Sequence, residues 1–128
     1  MTAIFDKPIL VVDDFKTTIK IVHTLLRQLG FRQMDEAASG AEALAKLRSG
    51  RFGLVISDWN MSPMTGIDLV RTMRSDAALR AVPVIMITAE AKPENVATAR
   101  DAGADGYIVK PFNATALKDK LSSVLGAF

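Results

Sequence analysis

The chain has 128 residues, the size of one domain, and enough apolar residues, 49%, to bury a core. Sixteen basic and fourteen acidic residues leave a net charge of +2 with no block of like charge, so nucleic acid is not expected as a partner. There is no cysteine for a disulfide or thiolate metal site, no apolar run long enough for a membrane span, and no signal peptide ahead of Asp6, so a cytoplasmic protein with a single domain over residues 1–128 is expected.

In chain order, residues 9–12 are an unbroken apolar run and predict the first strand. Ile19, Val22, Leu25, Leu26 and Leu29 follow at helical spacing, with Gly30 placed to end that helix. Residues 34–38 are a weaker candidate for the second strand. Leu44 and Leu47 mark the second helix, bracketed by Ser39-Gly40 and Ser49-Gly50. Residues 54–56 predict the third strand, and Ile67, Val70 and Met73 the third helix. Residues 84–87 predict the fourth strand, and Pro93 sits where a fourth helix would begin, since a proline in the first turn loses no hydrogen bond. Residues 107–109 predict the fifth strand, and Leu117, Leu121, Val124 and Phe128 give the last helix its apolar stripe.

The strand-like runs lack polar alternation and read as buried on both faces. Five strands alternating with five helices predict an α/β fold: a five-stranded parallel sheet, doubly wound, of the flavodoxin-like type. The sequence stops with its fifth helix, so no attached output domain is expected, and whatever the protein controls would be bound non-covalently.

In such a sheet, ligands bind outside the carboxyl ends of the strands. There the sequence sets Asp13-Asp14 after the first strand, Asp58 at the third, Thr88 at the fourth and Lys110 at the fifth. Three carboxylates on one edge would repel one another and raise at least one pKa unless a cation were present. Oxygen-only ligands suit Mg²⁺ better than zinc. Such an ion would neutralise an incoming phosphoryl group, Lys110 would add positive charge, Thr88 could donate a hydrogen bond, and Asp58 is the natural nucleophile.

Each residue also has a plainer reading: Asp13 or Asp14 as a helix cap or turn residue, Thr88 as an ordinary strand end, Lys110 as a solvated surface charge. It is their joint placement that favours the site. His23 has no second histidine or cysteine with which to bind metal and is read as structural. The six methionines read as core filler, with Met61 and Met64 flanking the site.

Four segments carry a family resemblance: Val11-Val12-Asp13-Asp14-Phe15, Ile56-Ser57-Asp58-Trp59-Asn60-Met61, Thr88-Ala89-Glu90-Ala91-Lys92 and Gly106-Tyr107-Ile108-Val109-Lys110-Pro111-Phe112. In order and approximate spacing the chain resembles bacterial two-component receiver domains, in particular the CheY-like chemotaxis response regulators, over nearly its whole length. The resemblance implies phosphorylation of Asp58 by a histidine kinase. It implies Asp13, Asp58 and the backbone carbonyl of Asn60 as direct Mg²⁺ ligands, with Asp14 acting through water. It further implies a cis peptide between Lys110 and Pro111, a coupled switch of Thr88 and Tyr107, and an influence of Asn60 and Glu90 on the lifetime of the phosphorylated state.

The same resemblance makes the surface of the fourth helix, fifth strand and fifth helix, with Ala91, Lys92, Val96, Tyr107 and Lys120, the site for a partner. A monomer that binds the flagellar motor switch protein, with a separate phosphatase possible, is the leading expectation, and it is not itself an enzyme. Two departures bear on it. Ser62-Pro63-Met64-Thr65-Gly66 differs from the family's usual loop after Met61, and Pro93 and Ser123 stand where the best-known relatives carry lysines. A phosphate sink or a regulator of another partner is therefore the alternative. A haloacid-dehalogenase-type phosphatase would need a second aspartate at position 60, where Asn60 cannot exchange a proton. A flavodoxin-like cofactor carrier would need a neutral phosphate loop in place of Asp13-Asp14-Phe15-Lys16.

Overall fold

A computed structural model describes residues 6–89 and 92–126. Three positions named above, Glu90, Ala91 and Phe128, lie outside the described residues. The elements alternate without exception. They are β1 (Ile9–Val12), α1 (Lys16–Gln28), β2 (Met34–Ala37), α2 (Gly40–Ser49), β3 (Leu54–Asp58), α3 (Gly66–Ser75), β4 (Val84–Thr88), α4 (Pro93–Ala102), β5 (Gly106–Val109) and α5 (Ala114–Leu125).

All neighbouring strands pair in parallel, in the order β2-β1-β3-β4-β5. The winding therefore reverses between β1 and β3, which makes their carboxyl ends the switch point where a ligand crevice forms. Alternate residues along each strand feed opposite cores. Ile9, Val11, Leu54, Ile56, Ile85 and Ile87 join Ile19, Val22 and Leu26 of α1 and Leu117 and Leu121 of α5. Leu10, Val12, Val55, Val84 and Met86 join residues of α2, α3 and α4 on the other face.

β1, β3 and β4 are buried along their whole length, as their continuous apolar sequences require. β5 departs from the expectation of burial on both faces. It is an edge strand, half-covered except at Ile108, because no strand lies beyond it. Met61 and Met64, which flank Asp58 in sequence, serve as core filler: Met61 is buried in the core on the α2–α4 face, and Met64 packs against that core over Gly40. His23 is half-buried on α1 and belongs to no cluster of three metal-ligating side chains among the described residues.

The helix ends follow local chemistry. Gly30, at φ 106°, supplies the left-handed residue that closes α1, with Phe31 N–H donating to Leu26 C=O at 3.0 Å and Gly30 N–H to Arg27 C=O at 3.1 Å. Ser39 caps α2 by accepting from Glu42 N–H. Thr65 and Asp68 form a reciprocal capping box at α3, so Thr65, in the loop that departs from the family's usual one, has a local role. Pro93 is the first residue of α4. The Lys110-Pro111 peptide is cis, as the resemblance implied, and so is Ser62-Pro63. No helix among the described residues is long and apolar enough to cross a membrane.

Gly66 brings α3 close under the end of β3. A methyl group there would run into the Asp58 carbonyl and come within 2.6 Å of Met86 Cε and 3.0 Å of Trp59 Cα. Gly66→Ala is therefore expected to destabilise the fold by about 1–3 kcal/mol through overpacking against backbone that cannot yield. Equilibrium urea denaturation measures it, and an unchanged midpoint would show that the β3–α3 junction has slack.

Candidate functional site

The site is assembled by strand register. Val12 of β1 lies opposite Ser57 of β3, so the next residue on each, Asp13 and Asp58, emerge side by side. Asp58 lies opposite Ile87 of β4, and Thr88 one step later lies opposite Val109 of β5, immediately before Lys110. Asp13, Asp58 and Thr88 are buried, with 3%, 6% and 4% of their surface exposed, whereas Asp14 points into solvent. Buried carboxylates at this level of exclusion need partners.

Lys110 is the main one. Its Nζ donates to Asp58 Oδ1 at 3.1 Å and lies 3.8 Å from Asp13 Oδ2. Phe15 N–H donates to Asp13 Oδ1 at 3.0 Å. Asp13 and Asp14 do not cap α1. The N-cap is Phe15, with no side-chain capping bond, and the acidic pair remains at the strand end. Lys110, which alone could have been a solvated surface charge, is bound into the cluster.

One carboxylate oxygen each from Asp13, Asp14 and Asp58 lie within 4.8 Å of one another, the only such group of three or more His, Cys, Asp or Glu residues among the described residues. Asp13 Oδ2 is buried without a hydrogen-bond partner among them. Burial, reinforced by the neighbouring Asp58 charge, pushes the Asp13 carboxyl up to about 6, against the pull of the Phe15 N–H and Lys110. An all-oxygen set with an orphaned buried carboxylate oxygen is suited to a hard divalent cation.

Asn60 is exposed directly after this rim, and its carbonyl accepts no hydrogen bond among the described residues. Tyr107, half-buried on β5, stands edge-on to Trp59, with ring centroids 6.3 Å apart and planes at 88°. This contact was not legible in the sequence. Its basis is the lateral row Ser57, Met86, Tyr107 across three strands, which carries Tyr107 toward the residue after Asp58. Val96 on α4 and Lys120 on α5 border the same side as Tyr107, and Lys92 is the N-cap of α4. Val96, Ala99, Gly106, Tyr107 and Lys120 line part of a groove of about 190 Å³ between α4, β5 and α5.

Comparison with known proteins agrees with this geometry. Residues 9–122 match the response regulator receiver domain family. The chain is 52% identical over 126 residues to the chemotaxis protein CheY-3 of Vibrio cholerae, covering 97% of both chains. It is 50% identical over 116 residues to the chemotaxis protein CheY of Pseudomonas aeruginosa, covering 91% of this chain and 94% of that one. Among solved structures, the chemotaxis response regulator CheY4 of Vibrio cholerae superposes with a TM-score of 0.86 at 38% identity, covering 93% of this chain and 98% of the other. With a doubly wound sheet, an acidic rim at its switch point and these relatives, the chain belongs to the response regulator receiver domain family.

Proposed function

We propose that the protein is a single-domain response regulator that takes a phosphoryl group onto Asp58 from a phosphohistidine of a histidine kinase. The observation that carries this reading is the Asp58 carboxylate, buried yet held at the rim, 3.1 Å from Lys110 and beside Asp13 and Asp14. An Asp58 carboxylate oxygen attacks phosphorus, the bond from phosphorus to the donor imidazole nitrogen breaks, and an acyl phosphate forms; the released imidazole takes its proton from solvent.

Asp13, Asp58 and the Asn60 carbonyl would hold Mg²⁺ directly in this reading, with Asp14 acting through water. The orphaned Asp13 Oδ2 is the observation that best fits such an ion. When bound, Mg²⁺ would supply positive charge to offset the carboxylates and an incoming phosphoryl group. Lys110 supplies the second positive charge, and Thr88, buried at the end of β4, offers its hydroxyl to a phosphoryl oxygen. Asn60 and Glu90 tune hydrolysis of the acyl phosphate, with or without a separate phosphatase. The phosphatase reading gains nothing here, since Asn60 offers no general acid.

Phosphorylation then acts on a partner surface that includes Lys92, Val96, Tyr107 and Lys120. Drawing Thr88 toward the phosphoryl group biases the packing of Tyr107, and its edge contact with Trp59 supports a direct link between that ring and the segment holding Asp58. The names of the Vibrio and Pseudomonas relatives favour chemotaxis, and hence the flagellar motor switch protein, as the destination of a monomeric, cytoplasmic regulator. A phosphate sink shares every feature of the acidic rim and differs only in having no such partner.

Three measurements test this. With Mg²⁺ and a small acyl phosphate donor, Trp59 fluorescence is expected to change saturably in the parent protein and to stay flat in Asp58→Asn; an equal response in the variant would refute the assignment.

The second uses pH. Because the folded Asp13 carboxyl titrates near 6 and its unfolded counterpart near 3.8, the folded chain holds this proton between those values while the unfolded chain releases it. The stability of the metal-free protein should therefore fall as pH rises from about 4 to about 6, and the whole penalty, up to roughly 2–3 kcal/mol, persists at neutral pH. Asp13→Asn is expected to raise Tm at pH 7.5 without divalent ions, to have little effect near pH 3.5, and to abolish the stabilisation that Mg²⁺ gives the parent. A Tm at pH 7.5 no higher than the parent's would contradict the electrostatic account.

Third, the donor-treated protein is expected to bind a motor-switch peptide more tightly than the untreated protein, and Tyr107→Ala to lose most of that gain. Absence of binding in both states selects the phosphate-sink reading.

A further inference from the structure

Helix α4 is held very unevenly. Its first six residues, Pro93 to Thr98, include none that is buried, and the only buried side chains of the whole helix are Ala99 and Ala102. The other four helices each bury residues that are larger than alanine. The N-terminal half of α4 thus buries no side chain completely, and the alanine methyls of the other half contribute little apolar area, so little apolar burial opposes displacement of the N-terminal half.

At the other end a dense polar fastening takes over. Arg74, on the last turn of α3, donates from Nε to Gly103 C=O at 2.9 Å, from Nη1 to Val82 C=O at 2.8 Å and Arg80 C=O at 3.1 Å, and from Nη2 to Asp105 Oδ2 at 2.8 Å. The same Asp105 oxygen accepts from Val84 N–H at 2.9 Å, while Asp105 N–H donates to Val84 C=O at 2.8 Å. Gly103, at φ 110°, ends α4 with Ala104 N–H bonded to Ala99 C=O at 3.0 Å. A side chain at Gly103 would come within 2.7 Å of the Arg74 stem, so glycine also makes room for the fastening. One guanidinium thus joins the end of α3, the approach to β4 and the end of α4. Three of its four acceptors are main-chain carbonyls, which hold the backbone itself and not merely a neighbouring side chain.

We infer that α4 is a lever hinged at its C-terminal end, with Arg74 and Asp105 as the hinge, so that a signal arising at the end of β4 moves the N-terminal half of the helix and leaves its end fixed. What drives the lever rests on the proposed phosphorylation at Asp58; the hinge itself does not. The arrangement explains why a small local change could alter Lys92 and Val96 without unfastening the helix from the sheet: the loose half adjoins the end of β4, and the fastened half adjoins the start of β5.

Amide hydrogen exchange on the full chain, followed residue by residue without donor, tests the hinge. Ala97 and Thr98 are expected to exchange roughly tenfold or more faster than Ala102, Ala104 and Asp105. In Arg74→Met, which keeps an apolar stem and loses every donor, Ala102, Ala104 and Asp105 should accelerate by about tenfold while Val11 and Ile56 in the central strands keep their rates. Should that variant not fold, Asp105→Asn, which keeps an acceptor for Val84 N–H and removes the ion pair, is expected to accelerate Gly103 and Asp105 by roughly threefold. An even exchange profile along α4, or parent rates at Ala102 to Asp105 in the variant that folds, overturns the inference. A second arm adds Mg²⁺ and an acyl phosphate. Exchange should change at Ala97 and Thr98 and not at Ala104 and Asp105; equal changes at both ends also overturn the lever. A Trp59 signal that fails to respond to the donor refutes the phosphorylation reading instead, and the donor-free profiles still decide the hinge.

Discussion

The mutual repulsion of three carboxylates at the end of two adjacent strands is the constraint around which the rest of this molecule is arranged. Parallel register sets Asp13 next to Asp58, and burial removes the water that would otherwise screen them. The cluster is tolerable because Lys110 reaches in from β5 and the Phe15 N–H closes on Asp13. Those contacts still leave one buried carboxylate oxygen without a partner and the Asp13 carboxyl well above its ordinary range. A rim in that condition is under-neutralised, and groups that bring positive charge or take up excess negative charge have large leverage over it.

The rim lies close to the perimeter of the sheet. Asp58 and Thr88 end neighbouring strands, Lys110 follows the third, and the row through Ser57, Met86 and Tyr107 runs one step behind them. Any movement of the rim is therefore adjacent to Tyr107 and to the start of α4, and Trp59 closes the path by touching the Tyr107 ring. The apolar cores on the two faces bury β1, β3 and β4 along their whole length. What can respond is the perimeter: the edge strand β5 and the shallowly seated half of α4, with Arg74 limiting how far that response travels.

Much of this was legible in the sequence because it depends on local or one-dimensional patterns. Continuous apolar runs identified the central strands, since burial on both faces leaves no polar alternation. Gly30, Ser39 and Pro93 marked helix boundaries because each solves a problem confined to one turn of backbone. The strand-end positions of Asp13, Asp58, Thr88 and Lys110 followed from the topology, which places every carboxyl end of a parallel sheet on one edge. Less legible was β5, whose apolar composition resembles that of a central strand although it lies at the edge. Met61 and Met64 sit in and against the core, as filler methionines should, although adjacency in sequence to Asp58 does not by itself say which way a flexible side chain turns.

The sequence by itself determined the order of elements, the identity of the acidic rim and the family, because these rest on periodicity, spacing and motifs that survive without coordinates. Tertiary structure alone decided which rim oxygens Lys110 reaches and which one it leaves without a hydrogen-bond partner, that Trp59 meets Tyr107, and that α4 is fastened at one end. Arg74 and Asp105 are thirty-one positions apart, and Asp58 and Lys110 fifty-two. Contacts at such separations are set by strand register and helix packing, and no local pattern of residues encodes them.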